Sequence, residues 1–400
     1  MYNIKKSRLV ALLAAAVIVG AALCLGIVLL VQNTGAAKTS ISASEYKELK
    51  DMQARYLKLD EVYSAIKKNY YKEADDNDLI VGACKGMVAG LHDTYSSFMT
   101  KTEYEQWLGT VTGEYDGIGI TFGKNDDNNA EIISVNNDSA AEKAGLKSGD
   151  IIVKIDGKTY DDINKMSTAI RGKAGTRVSI TYSRENKQKT VMITRAHVVN
   201  KTVSSRLING TVGYIKITAF EDKTYRDFKK ALKSMENSNV KGLIIDLRNN
   251  GGGLVVQASN VADELLGKCN VTYMQDKHGV KQYLKSDANA TKLPYVILVN
   301  EGTASASEII TAAVQDNKGG TVIGTKTYGK GIVQSTGQTK EGDAIELTIM
   351  QYFSPKGHTI HKKGIVPDKI VKQNDKTKEN EQMDEAVKEL QEKLIYRFLS

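Results

Sequence analysis

The sequence predicts a multidomain α/β protein: an apolar segment and helices first, a small β-rich domain in the middle, and an α/β core behind it. Three observations carry this. At 400 residues the chain is too long for one ordinary core. From 113 to 198 short strand-like runs alternate with Gly and Asp turns ("AEIISV", "DIIVKIDG", "RVSITYSR", "KTVMITR"), with two short helical pieces between them. From 199 onward strand and helix patterns alternate: "VGYIKI", the helical "YRDFKKALKSM", the continuously apolar "VKGLIIDL", the helical "GLVVQASNVADELLG", then "PYVILVN" and the helical "ASASEIITAAVQDN".

The N-terminus reads in order. Lys5, Lys6 and Arg8 in segment 1–8 precede residues 9–31, a run without a charged side chain. At about 1.5 Å per residue a helix of that length spans roughly 34 Å, enough to cross a bilayer. It exceeds the apolar stretch of a cleavable signal peptide and reads as a retained single-pass anchor, with the basic end cytoplasmic and the body outside. Cys24 lies within it as apolar filler. Residues 32–44 are a small polar linker. In the helical region 45–112, Tyr46, Leu49, Met52, Tyr56, Leu59, Tyr63 and Ile66 recur at helical spacing; a second helix covers about 77–91 and ends in the turn-like "GLHDTYSSFMT". From 320, "GTVIGTKTYGKGIVQST" and "AIELTIMQYFSP" read as strands. In the tail, 373–400, Met383, Val387, Leu390, Leu394 and Phe398 share one helix face.

Charge and cysteines exclude several classes. The net charge of +8 comes from lysines interspersed with glutamates, with no basic stripe carrying aromatics, which argues against nucleic acid as a partner. Cys84 and Cys269 lack metal-ligand spacing and read as buried free thiols, so no metal and no cofactor is expected.

The candidate chemistry sits in three strings. In "EGTASASEII", Ser305 and Glu308 form S-x-x-E before an apolar helix, the pattern of a capping box. The same helix start supplies free N–H groups and a positive dipole end, which favour an attacking hydroxyl and its oxyanion; both readings stand on these residues alone. A hydroxyl nucleophile needs a base. None of the 5 histidines lies in a serine-protease context. Lys330, between two glycines in "TYGKG", could serve if burial lowers its pKa, or it is a solvated turn lysine; Lys326 is chemically equivalent, and Gln334 four residues on could orient the amine. "DLRNNGGG" opens a helix after a buried strand and reads equally as a phosphate cradle, a glycine N–H aimed at a carbonyl, or a tight turn; it lacks the spacing of either dinucleotide or P-loop motifs.

Taken in order, "YDGIGI", "SAAEKAGLKSGDIIVKIDG", "VGYIKI", "DLRNNGGGL", "VNEGTASASEI", "TYGKG" and "GIVPD" resemble the carboxyl-terminal processing proteases over about residues 45–370. The resemblance implies a PDZ domain at 113–198 inserted before a peptidase core of crotonase-like type at 199–372. It implies Ser305 as nucleophile, Lys330 as general base 25 positions later, and Gln334 as the residue that orients the lysine. The spacing disfavours Ser307 and Lys326. The N–H of Ala306 and of Gly252 or Gly253 would form the oxyanion hole. Gly117, Ile118, Gly119 and Ile120 match the carboxylate-binding loop of PDZ domains, and Arg171 an arginine that links the loaded PDZ domain to the active site. The expected function is a membrane-anchored extracytoplasmic endopeptidase of a bacterial cell membrane. It would recognise protein or peptide substrates by free apolar C-termini, act by an acyl-enzyme, and offer its terminal helices for contact between copies. The alternatives are a non-catalytic PDZ scaffold that binds C-terminal tails, or an acyl-CoA enzyme. Two departures from the family pattern, the absence of Pro from "LHDTYSSFM" and the basic "KGHTIHKKG", leave the dyad untouched.

Overall fold

The computed structural model describes residues 41–373 and 380–399. The expected anchor at 9–31, with Cys24, lies outside them; among the described residues no helix is long and apolar enough to cross a membrane. The chain divides into two compact units, residues 1–83 and 84–400.

In the first unit, helix α1 (Ala43–Asn69) starts at a complete capping box, Ser42 with Glu45. None of its residues is buried. Its predicted stripe supplies Tyr56, Leu59, Tyr63 and Ile66 to an apolar groove closed by Leu79, Ile80 and Ala83 at the start of α2 (Asp76–Ala89).

The second unit opens with a difference from the sequence reading. Residues within the turn-like "GLHDTYSSFMT" form β1 (Ser97–Met99), followed by a capped helix that the pattern did not announce, α3 (Lys101–Thr112). Next comes β2 (Glu114–Gly117). Then β3 (Ile120–Lys124), β4 (Ala130–Val135), α4 (Ala140–Lys143), β5 (Ile151–Ile155), α5 (Ile163–Ile170), β6 (Arg177–Arg184) and β7 (Lys187–Thr194) build an antiparallel sheet in the order β3-β4-β5-β6-β7. It encloses its own core of Ile118, Ile132, Ile155, Ile170, Val178 and Ile180. β8 (Ala196–Val199) returns along β2, so entry and exit of this domain are one two-stranded neck. Across it His197 bridges Asp116 at 3.1 Å and Glu114 at 3.3 Å.

The core follows: β9 (Val203–Ile208), β10 (Val212–Ile217), α6 (Thr224–Asn237), β11 (Gly242–Asp246), α7 (Val255–Leu265), the hairpin β12 (Asn270–Asp276) and β13 (Lys281–Lys285), β14 (Tyr295–Val299), α8 (Ala306–Asp316), β15 (Thr321–Gly324), β16 (Ile332–Gln338), β17 (Ala344–Phe353), β18 (Lys369–Ile370) and α9 (Glu381–Leu399). One sheet runs β18-β15-β14-β11-β10-β9, parallel except for β9. Helices α6, α7 and α8 contribute Phe228, Ala258, Val261, Ile309 and Ile310 to the core on one face; Met383, Ala386 and Leu390 of α9 pack on the other. Coverage on both faces is why "LIID" and "YVILV" are continuously apolar. The second sheet runs β1-β17-β12-β13, with β16 also on β17. Its β12–β13 hairpin was not legible, and the strand expected across 320–336 breaks into β15 and β16 with Lys330 in the loop between. Cys84 and Cys269 are free but half-buried, not buried as expected: no residue of α2, which carries Cys84, is buried, and Cys269 packs against the core as a partly buried side chain.

Candidate active site

Buried β11 delivers the glycine loop to the start of α8. Asn250, fully buried, fixes both. Its side-chain amide donates to the Ile217 carbonyl (3.0 Å), its Oδ1 accepts the Gly252 N–H (2.9 Å), and its carbonyl accepts from Ser307 Oγ and the Ala304 N–H, each at 3.0 Å. Ser307 is thereby committed to the scaffold. The buried Asp246–Arg248 pair (2.7 Å) steadies the loop's first turn, and Arg248 also donates to Asn380 and Gln382 beside α9. Gly252 has φ 102°, and a Cβ there would lie 2.7 Å from Ser305 Cβ and 2.9 Å from the Ala306 nitrogen. At Gly253, φ 133°, it would strike the Phe220 carbonyl at 2.3 Å. Glycine is therefore required at 252 by close approach to Ser305 and at 253 by close approach to the Phe220 backbone. The Gly252 N–H is taken by Asn250. Among the described residues the N–H groups of Gly253 and Ala306 have no acceptor.

Ser305 is the N-cap of α8 and sits at φ 56°, ψ −121°, a conformation rarely adopted by residues with a Cβ. Part of the predicted capping box is there, with the Ser305 N–H donating to Glu308 Oε2 at 2.9 Å. The carboxylate does more than cap. Oε2 also accepts the Lys330 N–H (2.8 Å), and Oε1 accepts the Gly329 N–H (2.8 Å) and Thr327 Oγ1 (2.6 Å). Burial pushes the Glu308 pKa above its ordinary value against the pull of these donors. On the other side the hydroxyl of buried Tyr352 donates to the Ser305 carbonyl at 2.9 Å and contacts the Lys330 carbonyl.

The side chain of Lys330 does not reach Ser305: no hydrogen bond joins them. Its Nζ lies over the Tyr95 ring, 4.6 Å from the centroid. Burial lowers the Lys330 pKa, and the charges of Glu346 and Asp93 oppose that. The segment before β1 thus reaches the site, fixed by Ser96 Oγ, which donates to Asp93 (2.6 Å) and accepts the Thr348 N–H (3.1 Å). The expected contact of Gln334 with Lys330 is not formed: the strand starts only at Ile332 and its register shifts between Val333 and Gln334, and the Gln334 amide donates to Thr348 Oγ1 at 3.2 Å. Lys326 is exposed.

In the five-stranded domain Gly117, Ile118, Gly119 and Ile120 border a cavity of about 50 Å3, lined also by Phe122, Ile170 and Arg171. Arg171 stacks over Tyr115 (4.7 Å) and donates to the Gln106 carbonyl of α3 at 2.9 Å. It therefore ties the cavity to the helix that follows β1.

Similarity to known proteins agrees with this architecture. Residues 211–371 match Peptidase family S41, 117–194 a PDZ domain, and 17–103 the Activating protease CtpB N-terminal domain. A probable CtpA-like serine protease of Staphylococcus haemolyticus (strain JCSC1435) is 35% identical over 353 residues, 86% of this chain and 71% of that protein. The carboxy-terminal processing protease CtpA of Bacillus subtilis (strain 168) is 36% identical over 320 residues, 78% of this chain and 68% of that protein. Among solved structures, the photosystem II D1 C-terminal processing protease superposes with a TM-score of 0.52 at 27% identity, covering 79% of this chain and 86% of that one. At such identity over so much of both chains, the protein belongs to the carboxyl-terminal processing serine peptidases of family S41, and it carries their PDZ domain.

Proposed function

We propose that Ser305 is the nucleophile and Lys330 the general base of this peptidase. Neutral Lys330 takes the Ser305 proton as Oγ attacks the scissile carbonyl. The N–H groups of Gly253 and Ala306 receive the oxyanion, with Gly252 holding the loop close. The C–N bond breaks as the lysine returns the proton to the leaving amine, and water then releases the acyl group. Gln334 is assigned to orient the lysine once its side chain turns from Tyr95 to Ser305. The observation that carries the proposal is the strained Ser305 at a helix start beside two N–H groups without acceptors. Ser305→Ala and Lys330→Ala should each abolish cleavage of a peptide with a free apolar C-terminus, and the double variant should be no worse than either. Wild-type turnover in folded Lys330→Ala protein refutes the dyad.

The PDZ loop at Gly117, Ile118, Gly119 and Ile120 is assigned to the substrate's terminal carboxylate, and the cavity beside Ile118 and Ile120 to its last apolar side chain. Arg171, which lines that cavity and bonds α3, is assigned to couple its occupancy to the catalytic core. The uncharged run at 9–31 supports a single-pass anchor with the peptidase outside the cell. Carbonate extraction of membranes tests this: release of the full-length protein would refute it.

A further inference from the structure

Tyr352 is 1% exposed and heads the fully buried side chains by volume. Its hydroxyl is not used within its own hairpin. It lies 2.9 Å from the Ser305 carbonyl oxygen and also contacts that of Lys330, so one phenolic proton is shared between two acceptors far apart in sequence. Burial raises its pKa well above the ordinary value, which keeps it a donor throughout the working range. The main chain is meanwhile anchored between β16 and β17: the Tyr352 N–H donates to the Gly331 carbonyl at 3.0 Å, one residue from Lys330.

Opposite the hydroxyl, Glu308 Oε2 accepts the N–H groups of the same two residues at 2.9 and 2.8 Å. Ser305 and Lys330 are thus each held at N–H and at C=O by two side chains common to both. Ser305 needs such holding, because its φ of 56° persists only where the surroundings over-determine it. The Lys330 side chain lies outside this frame, over Tyr95. The frame therefore fixes where the lysine pivots, not where its amine rests.

We propose that Tyr352 is a positioning residue for the reaction, its hydroxyl holding the Ser305 and Lys330 carbonyls at the separation from which the lysine side chain can meet the serine. The proposal rests on the reading of Ser305 and Lys330 as nucleophile and base, and Ser305→Ala tests that reading separately. If a fluorophosphonate probe still labels Ser305→Ala at the wild-type rate, the nucleophile is elsewhere, whatever Tyr352 does.

The experiment is Tyr352→Phe in the full chain, which removes one oxygen and leaves the ring. Misplacement of the pair should lower kcat about 10- to 100-fold, with KM within about twofold. The rate of Ser305 labelling by the fluorophosphonate should fall by the same factor at a temperature where circular dichroism shows the variant fully folded. Incorporating 4-aminophenylalanine at 352 restores a donor in the same place and should recover most of the labelling rate. A folded Tyr352→Phe protein with wild-type kcat and labelling overturns the proposal, since a residue that only fills space would behave that way. Should Tyr352→Phe fail to fold, the amino variant decides: folded protein whose Ser305 is labelled at near the wild-type rate supports the proposal, and folded protein that resists labelling overturns it.

Discussion

Replacing Glu308 by glutamine keeps its volume and one acceptor oxygen but turns the other oxygen into a donor. The buried carboxylate receives four donors: the Ser305 and Lys330 N–H groups on Oε2, and the Gly329 N–H and Thr327 Oγ1 on Oε1. A glutamine is best placed with its amide nitrogen toward Thr327, whose hydroxyl can rotate to accept. The oxygen then still serves Ser305 and Lys330, while the Gly329 N–H is orphaned and Thr327 Oγ1, which already accepts the Ile365 N–H at 2.7 Å, takes the amide on its second lone pair and loses the acceptor for its own proton. One buried unsatisfied donor costs about 1–3 kcal/mol. Glu308→Gln should therefore lose at least about that much stability, with kcat within roughly tenfold of wild type. Glu308→Ala orphans all the donors and removes half of the frame around the two residues, so kcat should fall at least about 100-fold. Urea denaturation and peptide turnover measure the two effects separately. The pH dependence gives a further check. Burial raises the folded pKa of Glu308 above its ordinary 4.5. Between those values the folded state binds more protons than the unfolded, so this residue's contribution to stability falls as pH rises through that window. The stability gap between wild type and Glu308→Gln should narrow over the same range. A gap that widens, or wild-type kcat in Glu308→Ala, refutes the reasoning.

Gly252→Ala places a Cβ 2.7 Å from Ser305 Cβ on a backbone at φ 102°, and should cut Ser305 labelling about 100-fold; unchanged labelling would separate the glycine loop from the site. Lys330 has its pKa lowered by burial, so the folded state holds fewer protons than the unfolded between that pKa and 10.5. Stability should rise with pH across this window, and kcat/KM should rise through the folded pKa; a flat pH–rate profile refutes Lys330 as the base. Arg171→Ala removes the donor to the Gln106 carbonyl. A short peptide ending in a free apolar carboxylate should still bind, within about threefold by calorimetry, but no longer speed cleavage of an unrelated reporter; retained stimulation refutes the coupling role.

What the sequence revealed and what it hid follow one rule. Features set by local pattern were legible: strands covered on both faces as apolar runs, α8 from its S-x-x-E start, and the glycine run that opens α7. Features set by contacts between distant segments were not. Glu308 reads as a cap because the box is local, while its reach to Thr327, Gly329 and Lys330 depends on how the loop after β15 folds back. Tyr352 in "AIELTIMQYF" reads as one more apolar strand position. The Gln334 reading assumed a strand continuous from Lys330; the strand starts two residues later with a register shift, so the resting Gln334 amide meets Thr348 and not the lysine. Most hidden was "DTYSSF", polar and without period, whose β1 exists only because β17 offers it an edge. That segment carries Tyr95 beneath the lysine, and β1 runs on into α3, where Arg171 bonds the Gln106 carbonyl. On the proposed reading, a carboxylate arriving at the PDZ loop acts on the element adjoining the one that holds the Lys330 side chain. Glu308 and Tyr352 hold the backbones of Ser305 and Lys330, and on the proposed reading the amine gives up a cation–π contact of about 0.5–2 kcal/mol when it leaves Tyr95 for the serine. A contact of that size is within reach of the few kcal/mol by which one ligand site typically biases another.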